Sequence, residues 1–210
     1  MAEYASRASG CVKFLALGDS YTIGEGVPPD LRWPVQLAAL LAAQGIQVQP
    51  PTIIAKTGWT TRELAAGIER ANREPPYDLV SLLIGVNNQY RGLSAEQYRD
   101  EFRDLLREAI TLAGGAPGRV LVLSIPDWGV TAFAEGRDRA KIGREIDAFN
   151  AVNREETDAA GARYVDISAA SREAGSDPSL TAGDGLHPSA ELYRRWADLA
   201  LPEARAVLQR

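Results

Sequence analysis

The 210-residue chain has one cysteine, Cys11, and one histidine, His187. A single cysteine excludes an intrachain disulfide and any zinc site built on thiolates. A single histidine excludes the His-rich zinc constellations. A magnesium or calcium site of Asp and Glu stays open, although no EF-hand spacing occurs. Basic residues are in deficit: 23 Lys+Arg stand against 28 Asp+Glu, a formal net charge of -5, and no Lys/Arg run is present. Nucleic-acid binding rests on neutralising phosphates and is therefore not expected. No apolar run approaches the roughly 18 residues of a membrane span. The N-terminal MAEYASRASGCVKFLAL lacks a basic head followed by an apolar stretch, the secretory-signal pattern. A cytoplasmic location without a membrane span is the default expectation.

The composition, 45% hydrophobic and 24% charged, is that of an ordinary globular chain, long enough for one α/β domain over residues 1–210. Short β-rich runs alternate with long amphipathic ones. Lys13–Leu17, Thr52–Ala55, Leu79–Ile84, Arg119–Ile125 and Arg163–Ile167 are mostly continuous apolar runs, as strands covered on both faces should be. Helices are predicted between them. Trp33–Gln44 has Pro34 near its start and stops at Gly45. Thr61–Arg73 has Thr60 and Glu63 at capping-box spacing and ends at Pro75-Pro76. Ser94–Ala113 repeats that device with Ser94 and Gln97. Asp138–Ala160 stops at Gly161, and Ser189–Gln209 is expected to kink or split at Pro202. This alternation predicts a three-layer α/β/α sandwich with a five-stranded parallel sheet of flavodoxin-like order. In such sheets ligands bind beyond the carboxyl ends of the strands.

Those ends carry Gly18-Asp19-Ser20-Tyr21, Lys56-Thr57-Gly58-Trp59, Gly85-Val86-Asn87-Asn88 and Pro126-Asp127-Trp128. A longer loop after the fifth strand carries Asp184-Gly185-Leu186-His187-Pro188. Taken singly, each reads equally as turn or cap residues. After strand one, a plain turn, a phosphate cradle over Ser20, Thr22 and Gly24–Gly26, and a nucleophilic serine all fit. Taken together, the stretches put a serine, the one imidazole, a carboxylate and N–H donors on one rim. Acyl transfer needs this set: a base to take the serine proton, a carboxylate to orient the base, and donors for the oxyanion. Asp184 and His187, with two residues between them, suit the orienting pair, and the order Ser…Asp…His is a known convergent one.

With these motifs in their order along nearly the whole chain, the sequence resembles the SGNH subgroup of the GDSL esterase/lipase family. The blocks are Gly18-Asp19-Ser20, Thr57-Gly58-Trp59-Thr60-Thr61, Gly85-Val86-Asn87-Asn88 and Asp184-Gly185-Leu186-His187-Pro188. The resemblance implies Ser20 as nucleophile, His187 as base and Asp184 as its partner. It implies an oxyanion hole of the Ser20 and Gly58 N–H groups with the Asn87 amide, and no metal or organic cofactor. Two departures stand out: Tyr21 replaces the leucine of the family name, and Asn88 stands where the family usually has Asp, dropping a negative charge from the loop.

Tyr21, Trp59, Tyr90, Trp128 and Phe133 fall on or near rim loops and are candidates to line an acyl or aryl pocket. Trp33 and Trp196 lie on helix patterns and are expected in the core. Arg91 is read as either a contact for an anionic leaving group or a solvated surface residue, and Gly129–Gly136 as a movable flap. Short- to medium-chain carboxylic esters are the expected small-molecule substrates, with thioesters, lysophospholipids or acetylated sugars as alternatives. Two other classes stay in view. A flavin- or nucleotide-binding module would use the loop after strand one, but neither G-x-G-x-x-G nor G-x-x-x-x-G-K-[ST] is present. A non-catalytic ester-binding protein is suggested by Asn88.

Overall fold

Five apolar runs pair as one parallel sheet in the computed structural model, which describes residues 10–209. The strands are β1 (Phe14–Gly18), β2 (Thr52–Ala55), β3 (Leu79–Leu83), β4 (Val120–Leu123) and β5 (Arg163–Val165), in the order β2-β1-β3-β4-β5. The register pairs Leu17 with Ile54 on one side and Leu82 on the other, so β1 is an interior strand, buried along its length. The leader-peptide reading of residues 1–9 lies outside the described residues.

The helices are α1 (Ser20–Ile23), α2 (Trp33–Ala43), α3 (Thr61–Arg70), α4 (Val86–Tyr90), α5 (Ala95–Leu112), α6 (Arg139–Ala160), α7 (Ser168–Arg172) and α8 (Ala190–Leu208). Helix α2 packs on α8, while α3, α5 and α6 lie side by side. Right-handed crossovers put these two groups on opposite faces of the sheet. The result is the expected α/β/α sandwich. Trp33 and Trp196 are fully buried at the α2–α8 layer, and Tyr98, Phe102 and Phe149 fill the α5–α6 layer. Each such side chain contributes about 1.5–3 kcal/mol of burial. None of the helices among the described residues is long and apolar enough to cross a membrane.

Several boundaries differ from expectation, each for a local reason. Strand β4 stops at Leu123 because the Asn150 side chain takes both Ile125 backbone groups, accepting from its N–H at 2.7 Å and donating to its carbonyl at 2.9 Å. Strand β5 stops at Val165 because the Ile167 N–H donates to Ser124 Oγ at 2.8 Å instead of to a ladder partner. Helix α3 ends three residues early, at Ala71, where the backbone turns extended (ψ 142) so that the chain can cross to β3. Pro202 does not split α8: it and Asp198, whose carbonyl it deprives of a partner, are both exposed residues. Gly129–Gly136, expected as a movable flap, has local structure of its own. It forms two short 3₁₀ turns, Trp128–Val130 and Ala132–Ala134, tied to the Asp184 loop by the Phe133 N–H donating to the Gly185 carbonyl at 3.1 Å.

Candidate active site

Ser20 is the first residue of α1, two steps past the end of β1. Gly18, expected to turn the chain, is still strand. Its role is close approach, since a Cβ there would collide with Thr22 Oγ1 and the Leu83 carbonyl. Asp19 caps α1, its Oδ1 accepting the Tyr21 N–H at 3.0 Å, and Gly24 in the left-handed region (φ 72) ends the helix after one turn. The Ser20 N–H is left as a first-turn donor with no acceptor among the described residues. Asp19 is fully buried, and burial pushes its carboxyl up to about 7 against the pull of the backbone N–H bonds. Gly24 and Gly26 do not form a phosphate cradle: Gly24 is the C-cap, and a Cβ on Gly26 would meet Ala182 and approach the Asp184–His187 loop.

Asp184 and His187 are joined inside one tight turn. Asp184 Oδ1 accepts the N–H groups of Leu186 (2.9 Å) and His187 (3.0 Å), and Oδ2 lies 2.6 Å from His187 Nδ1. Partial burial alone would raise the Asp184 carboxyl; the bonds from the His187 ring and from these two N–H groups outweigh it and hold the carboxyl below its ordinary value. An Nδ1–H donated to Oδ2 leaves Nε2 as the free acceptor of a neutral ring. The Tyr21 ring packs on the imidazole at 5.3 Å between centroids, tilted 57°, and backs onto Trp196.

Gly58 adopts φ +81, a conformation suited to glycine, and nothing lies within 4 Å of where its Cβ would be. Its N–H has no acceptor among the described residues. Its carbonyl is gripped by Arg91 Nη2 at 2.7 Å, and Arg91 also pairs with Glu63 at 3.3 Å. Arg91 is a surface residue, its side chain 48% exposed, and it braces the Gly58 turn. Asn87 donates one amide hydrogen to the Trp59 carbonyl at 3.0 Å, leaving the second free. Asn88 is fully buried: Oδ1 accepts the Thr61 N–H at 3.1 Å, and Nδ2 donates to Thr61 Oγ1 at 2.6 Å and to Glu101 Oε2 at 3.3 Å. An aspartate at this position would face the Glu101 carboxylate, so the amide suits its surroundings.

Ser20, Gly58, Asn87 and His187 line one cavity of about 170 Å³, together with Tyr21, Thr57, Val86, Tyr90, Trp128, Phe133 and Leu186. Of the aromatic candidates, Tyr21, Tyr90, Trp128 and Phe133 are at the cavity. Trp59 is not: its ring covers Gly67 on α3, where a side chain would collide with it. Tyr90, Trp128 and Phe133 meet at centroid distances of 5.4–6.3 Å, and the Arg137 guanidinium stands 5.3 Å from each ring. Trp128 Nε1 donates to Gln89 at 2.8 Å. Thr57, Val86 and Leu186 were not singled out by sequence reasoning, although each lies inside or beside a recognised block. A larger depression of about 280 Å³ runs between α3 and α5, past Glu69, Glu101, Asp104 and Glu108; it holds neither Ser20 nor His187, so size alone does not identify the site.

No curated protein matches the sequence. Among solved structures, Axe2, an acetylxylan esterase from Geobacillus stearothermophilus, is 23% identical with a TM-score of 0.71, covering 92% of this chain and 94% of that one. TesA is 20% identical with a TM-score of 0.72, covering 93% and 99%. A lipolytic G-D-S-L protein from Veillonella parvula is 18% identical with a TM-score of 0.65, covering 90% and 96%. At these identities the likeness establishes the fold. The profile of the GDSL-like Lipase/Acylhydrolase family matches residues 16–195, and the chain belongs to that family as a serine hydrolase acting on ester bonds.

Proposed function

We propose that this enzyme hydrolyses carboxylic esters of short to medium acyl chains through a Ser20–His187–Asp184 triad and an acyl-enzyme. The observation that carries the reading is the 2.6 Å contact of Asp184 Oδ2 with His187 Nδ1 on a ring that shares the cavity with Ser20. Ser20 Oγ attacks the ester carbonyl carbon while His187 Nε2 takes its proton. The carbonyl π electrons move to oxygen, and that oxyanion accepts from the Ser20 and Gly58 N–H groups and the spare Asn87 hydrogen. Collapse breaks the C–O bond, and the imidazolium returns its proton to the leaving alcohol. Water then repeats the sequence on the acyl-enzyme, releasing the acid and restoring Ser20. Asp184, held below its ordinary value, stays ionised across neutral pH and stabilises the imidazolium.

The cavity of about 170 Å³ has apolar walls at Val86, Trp128 and Leu186, which supports an apolar acyl group lying against them. The test is turnover of p-nitrophenyl esters of increasing chain length, with Ser20→Ala beside the wild type. The variant is expected to lose about 10⁴–10⁶-fold in kcat, the range for a triad nucleophile. A fluorophosphonate probe should label Ser20 in the wild type. An unchanged rate in Ser20→Ala would remove the assignment.

A further inference from the structure

We propose that Glu101, on the outer helix α5, is a positioning residue for the oxyanion hole: its carboxylate sets the hydrogen-bond direction that locks the segment bearing Gly58 to the segment bearing Asn87. The inference rests on the functional reading above. The two donors come from separate pieces of chain, the turn between β2 and α3 and the short helix α4. Beyond the Asn87–Trp59 bond, the two are joined through their neighbours, Thr61 and Asn88.

Both neighbours are buried. The Thr61 backbone N–H can only donate, so it fixes Asn88 with Oδ1 toward it and Nδ2 beside Thr61 Oγ1; the threonine hydroxyl, able to donate or accept, is the group left to be directed. Glu101 directs it. A carboxylate only accepts, and its Oε2 takes the Thr61 hydroxyl hydrogen as well as an Asn88 Nδ2 hydrogen at 3.3 Å. Thr61 Oγ1 must then accept from Asn88 Nδ2, at 2.6 Å, while Asn88 Oδ1 accepts the Thr61 N–H, at 3.1 Å. Reversing the amide would leave that buried N–H without an acceptor, which costs more than a bond to water returns. The remaining partner of Glu101, Arg62 at 2.6 Å, has a side chain 83% exposed, and such an ion pair contributes little. The charge on Glu101 thus serves the Thr61–Asn88 link.

The network holds one carboxylate, and the test moves it. Four proteins are compared with the wild type on a short-chain p-nitrophenyl ester: Ser20→Ala, Glu101→Leu, Asn88→Asp, and the double variant Asn88→Asp/Glu101→Gln. Glu101→Leu should lower kcat about tenfold with KM within about twofold, since misplacement of this kind acts on the transition state. Asn88→Asp sets two carboxylates at hydrogen-bond distance and should cost about a hundredfold. The double variant exchanges the amide and the carboxylate and should recover at least tenfold over Asn88→Asp. Recovery of less than that, or an unchanged kcat in Glu101→Leu, overturns the proposal, because a merely structural role predicts that the two losses multiply. If Asn88→Asp does not fold, the double variant is judged against the wild type: kcat within about tenfold supports the charge exchange, and a folded but slower protein overturns it. Should neither fold, Glu101→Leu decides. A wild type without Ser20-dependent turnover fails the functional reading itself; one that turns over while Glu101→Leu matches it fails this inference alone.

Discussion

On one wall of the cavity, Gly58, Asn87 and His187 are held by hydrogen bonds at 2.6–3.0 Å, and buried Asn88 anchors the segment behind them. On the other wall, Tyr90 and Phe133 are 47% and 41% exposed and meet Trp128 through ring contacts at 5.4 and 6.0 Å. Directional hydrogen bonds fix an atom's position, whereas ring contacts of about 0.5–1.5 kcal/mol tolerate sliding. The first wall has the build of reaction machinery, which must match a transition state. The second has the build of a substrate-shaping surface, where chain length and leaving group can vary.

Substitutions that cut across the two walls sharpen this contrast. The largest effect is expected at the polar wall: Asn87→Ala should lower kcat about 100–1000-fold with little change in KM, as measured by steady-state kinetics on one ester. At the aromatic wall, Trp128→Ala should leave kcat for an acetyl ester nearly unchanged and cut kcat/KM for longer esters by about tenfold, the worth of a methylene or two in an apolar pocket. If it lowered kcat on acetyl and longer esters alike, the contrast between the walls would collapse. Arg137→Gln, further out, should raise KM by about two- to fivefold, because cation–π contacts at exposed sites are worth about 0.5–1 kcal/mol.

The smallest expected effect is on stability, and it concerns Asp19 beneath the nucleophile. Its folded carboxyl is raised by burial to about 7, above its value in the unfolded chain. The protonated form is therefore favoured by folding. Its contribution is full below the ordinary carboxylate range and is lost as pH rises toward and through about 7. Asp19→Asn keeps an acceptor for the Tyr21 N–H but cannot ionise. Above pH 7 its Tm should exceed the wild type's by roughly a few °C, with the difference vanishing near pH 4. A constant offset across that range in a Tm-versus-pH series would contradict the assignment.

Much of this was readable in advance, where the physics is local. A continuous apolar run needs cover on both faces, which made β1 to β5 recognisable and with them the rim where the site lies. Asp184 and His187, with two residues between them, can meet within a single turn, so their pairing required no tertiary knowledge. The capping residues Thr60 and Ser94 stand where the spacing put them, directly before α3 and α5. What escaped depends on distant partners. Trp59 looked like a pocket residue until α3 supplied Gly67 as its seat, and strand β4 ran two residues short because Asn150, on another helix, took the Ile125 backbone groups.

By itself, then, the sequence determined the strand–helix alternation, the parallel sheet and the identity of the rim residues, because periodicity, capping and short turns act between neighbours in the chain. Only the tertiary structure decided which rim aromatics face the cavity, what grips the Gly58 carbonyl, and why an amide and not a carboxylate sits at position 88. Those outcomes depend on which groups packing brings within about 3 Å of one another, and Arg91, Asn88 and Glu101 reach Gly58 and Thr61 only after the sheet has folded.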